Sequence, residues 1–272
     1  MMNNIFLFGV LLLVNCVFGV EADEVSVSVM VGDSVTLHTD VTGGPKGSDI
    51  IWKFGDEIIA KMNGADATPS TLDGPGATFK DRLKLDKQTG SLTITNIRTE
   101  HIGNYSVDIR GINATLKKFQ VTVHGGVKTA SVMERDPVNL ITGVNEIQGY
   151  DLILWKTGGN IVAEINKGAN IFGPRDVDDM RFSGRLHLSR KTGDLTISDS
   201  KTEDSGDYHL HMSNSTHTLQ RTISVIVKTR PQSGAPTGIY GAGVGLVVWA
   251  VIVFFAARFV DNEIKGVSVK IK

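Results

Sequence analysis

The sequence predicts an all-β protein: two sandwiches in tandem, about 100 residues each, carried on one transmembrane helix. Three observations predict it. Arg82–Tyr105 matches Arg185–Tyr208 without a gap, 12 of 24 positions being identical at a constant offset of 103. Segments such as SVSVMVGDSVTLHT, SLTITNI and FQVTV alternate apolar and polar residues at period two, with Gly, Pro, Asn and Asp clusters between them. The longest apolar runs lie at the two ends of the chain, over Ile5–Val20 and Gly238–Ala257.

Ile5–Val20 is short and N-terminal, and small residues follow it, as in a secretory signal peptide (1–19). Val17 and Gly19, or Val20 and Ala22, suit the −3 and −1 positions, so cleavage is expected after Gly19 or Ala22. The leader MMNN lacks the usual Lys or Arg. The first sandwich is expected over 20–124, the second over 125–228 and a juxtamembrane stalk over 229–237. Gly238–Ala257 carries no charge and is long enough, at 1.5 Å per residue, to cross a hydrocarbon core of roughly 30 Å. Residues 258–272 hold Arg258, Lys265, Lys270 and Lys272 against Asp261 and Glu263. That bias places them in the cytoplasm and the sandwiches outside the plasma membrane. A polar extension after the apolar run also argues against a lipid-anchor signal.

The balance of 28 basic against 29 acidic residues gives no electrostatic reason to expect nucleic acid. The one cysteine, Cys16, lies in the signal peptide, so the mature chain has no disulfide and no zinc–thiolate site. His209 and His211 share a strand face, but two ligands without a third read as solvent-facing strand residues. The Gly-rich Asp73–Ala77 reads as a turn, and no nucleophile elbow, phosphate loop or H-E-x-x-H motif is present. No enzyme, cofactor or small-molecule substrate is expected. Sequons at Asn104, Asn113 and Asn214 mark glycosylation acceptors in a secreted chain; Asn113 and Asn214 fall in expected hairpins, whereas Asn104 adjoins Tyr105.

The repeat carries Trp52 onto Trp155 and keeps 53 residues from each tryptophan to Tyr105 or Tyr208. Asp204-Ser-Gly-Asp-Tyr208 has the form aspartate-x-glycine-x-tyrosine, which the first copy retains only as His101-Ile-Gly-Asn-Tyr105. Together with the repeated R-L-x-L and T-G-x-L-T-I strings, these residues resemble the immunoglobulin superfamily. The resemblance implies two V-type sandwiches with Trp52 and Trp155 in the core and Tyr105 and Tyr208 as tyrosine corners. It also implies a salt bridge between Arg185 and Asp204, with Arg82 facing His101 as the first-copy counterpart. The family's cysteine positions fall on Thr39 and Val107 and on Thr142 and Leu210, so apolar packing at Val107 and Leu210 must partly replace the bridges.

A membrane-distal V-type domain without its disulfide resembles the signalling lymphocyte activation molecule (SLAM) family and its T-cell adhesion relatives. That resemblance implies docking on another immunoglobulin-type surface protein, like to like or on a sister receptor, through the G-F-C-C′-C″ face of the outer domain. With Trp52 and Val107 pointing inward, Lys53, Asp108 and Arg110 point outward, and Lys118 and Gln120 are the outward set on the last strand. The second copy departs from that family, being V-like and disulfide-free. The tail segment contains no tyrosine, which suits an immune-cell ligand or counter-receptor. A receptor subunit that signals through a partner's tail and a non-immune adhesion molecule remain alternatives.

Overall fold

Alternation decides the strands. In β1, Glu24–Met30, the side chains of Val27 and Val29 are buried while Glu24, Ser26 and Ser28 are exposed. The computed structural model describes residues 24–40, 47–111, 114–175 and 180–230. The expected signal peptide, membrane span and tail, and Asn113, lie outside the described residues. Among those residues, no helix is long and apolar enough to cross a membrane.

The first half continues with β2, Ser34–Leu37, β3, Asp49–Phe54, β4, Glu57–Met62, and β5, Pro69–Thr71. It ends with β6, Leu83–Leu85, β7, Leu92–Ile94, β8, Gly103–Arg110, and β9, Thr115–His124. One sheet runs β1-β9-β8-β3-β4-β5, with β1 parallel to β9, and β2, β7 and β6 form the opposing layer. The second half repeats the plan. It comprises β10, Thr129–Met133, β11, Val138–Leu140, β12, Leu152–Thr157, β13, Asn160–Asn166, and β14, Ile171–Pro174. Then come β15, Leu186–Leu188, β16, Leu195–Ile197, β17, Gly206–Ser213, and β18, His217–Lys228. Its large sheet runs β10-β18-β17-β12-β13-β14 against β11-β16-β15. In both halves two further strands extend the sheet beyond the tryptophan strand.

Hydrogen bonds link the layers where cysteines would stand. The Trp52 indole N–H donates to Gly90 O and the Thr39 hydroxyl to Thr89 O, at 2.9 and 2.6 Å. Trp155 repeats the bond to Gly193 O and Thr142 the bond to Thr192 O, at the same two distances. Each repeated Thr-Gly is therefore a turn whose carbonyls receive one donor from each layer. Gly90 and Gly193 both sit at φ +71°, a left-handed conformation that disfavours a side chain, and a Cβ at Gly90 would strike Ile50. At the other end, Tyr105 donates to His101 O and Tyr208 to Asp204 O, both at 2.8 Å. Burial pushes both phenols up.

The two halves belong to one compact unit that extends to Thr229. Because β1 pairs with β9, the outer edge of β2 is vacant for another strand. β18 fills it, pairing antiparallel with β2 from His217 opposite Leu37 to Gln220 opposite Ser34. The large sheet of the second half thus runs on into β2, β7 and β6 of the first. Beside this joint Arg221 donates from Nε and Nη2 to both Asp33 oxygens, at 2.7 and 2.8 Å, and from Nη1 to the carbonyls of Ile141 and Thr142. Asp33 is 1% exposed and Arg221 7%, so the pair is desolvated and depends on this complete set of partners.

Two outcomes are expected from these links. Thr39→Val and Thr142→Val keep the shape but leave a turn carbonyl unpaired, costing about 1–2 kcal/mol each in urea unfolding. Asp33→Ala strands a buried guanidinium and costs about 3–5 kcal/mol in thermal unfolding, most of which returns when Arg221→Met is added.

Candidate interaction face

The outward surface of β5, β4, β3, β8 and β9 is a flat sheet face whose rows follow from strand register. One row reads Ser70, Lys61, Ile51, Asp108 and Leu116 across five strands. The next places Ser106 between Lys53 and Lys118, and a third sets Asn104 opposite Gln120. Side chains opposite one another on such a face lie about 5 Å apart at Cβ. The register thus brings Lys53, Asp108, Lys118 and Gln120 onto one surface, with Arg110 at its end opposite Asp49. Arg110 Nε donates to Asp108 Oδ2 at 2.7 Å, so these two present a mutually neutralised pair.

Charge-based reading missed the centre of this face. Ile58 is 41% and Leu116 50% exposed, and half-buried Ile51 lies beside Asp108 on the register. Lys53 stands opposite Ile58, Lys61 and Asp108 flank Ile51, and Leu116 lies beyond Asp108. The inward direction of Trp52 already fixed Ile51 as outward, so parity carried the signal for it. The exposure of Ile58 was not legible, because a register shift between Trp52 and Lys53 breaks the alternation along β4.

The remaining residues singled out in the sequence are structural in their surroundings. Trp52, Val107, Trp155 and Tyr208 are fully buried, and Tyr105 and Leu210 are each 1% exposed. Arg185 forks onto Asp204, Nη1 to Oδ2 at 2.7 Å and Nη2 to Oδ1 at 2.8 Å, and these hydrogen bonds push the guanidinium up despite its burial. The first half does not form the expected counterpart. His101 Nδ1 accepts from Arg98 N, its Nε2 faces Thr78 O at 3.1 Å, and its ring stacks on Phe79. Burial holds this imidazole down, and Arg82 instead donates to Asn96 O. A neutral ring enclosed between a carbonyl and a phenyl group has no charge to offer Arg82.

His209 Nδ1 lies 3.0 Å from Thr222 Oγ1, and both His209 and His211 line a groove of about 360 Å³ with Lys156, Gln220 and Gly32. Among the described residues no group of three or more His, Cys, Asp or Glu is placed to hold a metal. Asn104 is exposed on the outward face. Asn214 is half-buried, donating from Nδ2 to Gly149 O and accepting at Oδ1 from Thr216 N and His217 N.

Residues 20–110 match the family model described as "Immunoglobulin domain". That match covers about a third of the chain, so the first half is similar to this family and shares its all-β sandwich. The second half repeats its strand plan, its Thr-Gly turn and its tyrosine corner. No curated protein matches the chain in sequence. Among solved structures, murine CEACAM1b is 20% identical, spanning 74% of this chain and 96% of its own, with a TM-score of 0.29. The CD2-binding domain of CD58 is 14% identical over 76% of this chain and 98% of its own, TM-score 0.33. The first immunoglobulin-like domain of human CD48 is 19% identical over 44% and 96%, TM-score 0.34. At those scores the likeness carries no argument, and the similarity to the family rests on the model's match over 20–110.

Proposed function

We propose that this chain is a single-pass cell-surface recognition protein that docks another immunoglobulin-type surface protein through the outward face of its first domain. In this reading Gly238–Ala257 spans the plasma membrane, 20–124 and 125–228 are the two extracellular domains, and Asn113 and Asn214 carry glycans. Docking would use Lys53, Asp108, Arg110, Lys118 and Gln120 around Ile51, Ile58 and Leu116. The carrying observation is that Ile58 and Leu116 are exposed, and Ile51 half-exposed, on the same outward sheet face as those charged residues. Apolar residues at the centre supply the energy of such contacts, and charges at the rim set rate and selectivity. An immune-cell ligand or counter-receptor of the SLAM type is the specific form proposed, from the disulfide-free outer domain with this face.

The test is a multivalent soluble Glu21–Thr229 ectodomain, presented to a panel of surface receptors and to cells expressing this same chain. Leu116→Asp, or Lys53→Glu with Asp108→Lys, is expected to weaken binding at least tenfold while leaving the melting temperature unchanged. Binding that survives both changes would rule this face out.

A further inference from the structure

The joint between the two halves is built around imidazoles. His217 is the first β18 residue paired with β2 and is 5% exposed. Its Nε2 lies 3.2 Å from the Tyr150 hydroxyl and its Nδ1 2.9 Å from the Thr216 hydroxyl, while the Tyr150 ring meets it edge-on at 5.5 Å. On the other side of the joint His38 donates its backbone N–H to Thr216 O at 2.9 Å, and its Nε2 lies 2.9 Å from Thr218 Oγ1. Two histidines, one from each half, therefore make the polar contacts at the end of the shared ladder.

The surrounding charges are unfavourable to a proton. Lys117 on β9 approaches from the first half, hydrogen-bonded to Asp40 and to His38 O, and Arg221 on β18 stands on Asp33. Both nearby carboxylates, Asp33 and Asp40, already hold a cation, which weakens what either offers an imidazolium. The hydroxyl partners of His217, on Tyr150 and Thr216, serve a neutral ring as well as a charged one.

We propose that this joint is an acid-labile latch: protonation of His217, joined by His38, unseats β18 from β2 and frees the two halves from each other. Burial, aided by His38 and Lys117, holds the His217 imidazole down to about 4. Burial and Lys117 lower His38 as well, against an opposing pull from Asp40. An exposed imidazole titrates near 6.5, so the opened joint takes up protons first. Closure is then fully favoured above about pH 6.5 and is progressively lost as pH falls toward 4. For His217 alone, the closed-to-open ratio falls roughly 25-fold between pH 7.4 and 5.

Burial also holds His101 and His211 down, so acid weakens each half to some degree, but the depression to about 4 belongs to His217 at the joint. The Trp52 and Trp155 indoles are fixed to backbone carbonyls, and the sandwiches are closed by apolar side chains. Acid is therefore expected to open the joint before either sandwich melts.

Spin labels at Gln88→Cys and Lys191→Cys, exposed equivalent turn positions in the two halves, report the distance between them in the full chain reconstituted in nanodiscs with Cys16→Ser. The distance distribution is expected to be narrow at pH 7.4 and to broaden and lengthen by pH 5, with tryptophan emission unchanged. His217→Gln, which keeps a hydrogen-bonding side chain without a titrating proton, is expected to move the opening at least one pH unit lower, and His38→Gln to move it less. The proposal is overturned by a distribution unchanged down to pH 4.5. It is also overturned if both variants open at the pH of the parent chain, or if tryptophan emission shifts red at the pH of opening.

Discussion

Everything in each sandwich depends on how two sheets are held together without a covalent bridge. A disulfide of this kind typically contributes about 2–4 kcal/mol, and the described residues contain no cysteine to form one. The substitute is a turn rather than a residue pair. Thr89-Gly90 and Thr192-Gly193 each offer two successive carbonyls, which a threonine hydroxyl reaches from one layer and a tryptophan N–H from the other. The tryptophan bonds are buried and the threonine bonds partly so, and their geometry is enforced by the penalty for leaving a member unpaired. The arrangement explains why Thr-Gly belongs to the repeated string although neither residue fills the core.

The same economy of edges joins the halves. A first strand that paired with β2 would close that edge; because β1 runs beside β9 instead, β2 keeps unpaired backbone groups along one side. An open edge invites another strand, and here the invitation is met within the chain by β18. The second half has the equivalent edge at β11, with no strand partner among the described residues. There Pro137 stands at the position equivalent to Ser34, and a proline supplies no N–H to a ladder. One edge is covered by β18, and the other lacks one backbone donor for a further strand.

Much of each sandwich was legible in the sequence because its signals are periodic or local. Trp52 and Tyr105, with their repeats, lie at fixed spacing on strands whose alternation sets inward and outward, and Asp204 sits four residues before the tyrosine whose hydroxyl it receives. The joint was not legible, because Asp33 and Arg221 are 188 positions apart and meet only once β1 has chosen β9 over β2. His101 misled for a related reason. Its position matches Asp204, but a ring that stacks on Phe79 forms a neutral contact where a carboxylate forms a charged one. On the candidate face, charge drew attention to Lys53, Asp108, Arg110 and Lys118, and the exposure of Ile58 and Leu116 emerged only from the folded strands.

The proposed docking face and the joint use opposite sides of one strand. Along β9, Lys117 turns inward to His38 O and Asp40, while Leu116 and Lys118 turn outward onto the face. The joint holds the first domain through β2, in the layer that does not bear the face, so pairing with β18 leaves the whole outward surface of β5-β4-β3-β8-β9 uncovered by the second domain. A domain tethered in this way has its orientation fixed from behind. Preorganisation of that kind lowers the entropic cost of a weak, flat contact, because the second domain restrains the first before any partner arrives. Rigid coupling behind the face and exposure in front of it follow from one topological choice, the parallel pairing of β1 with β9.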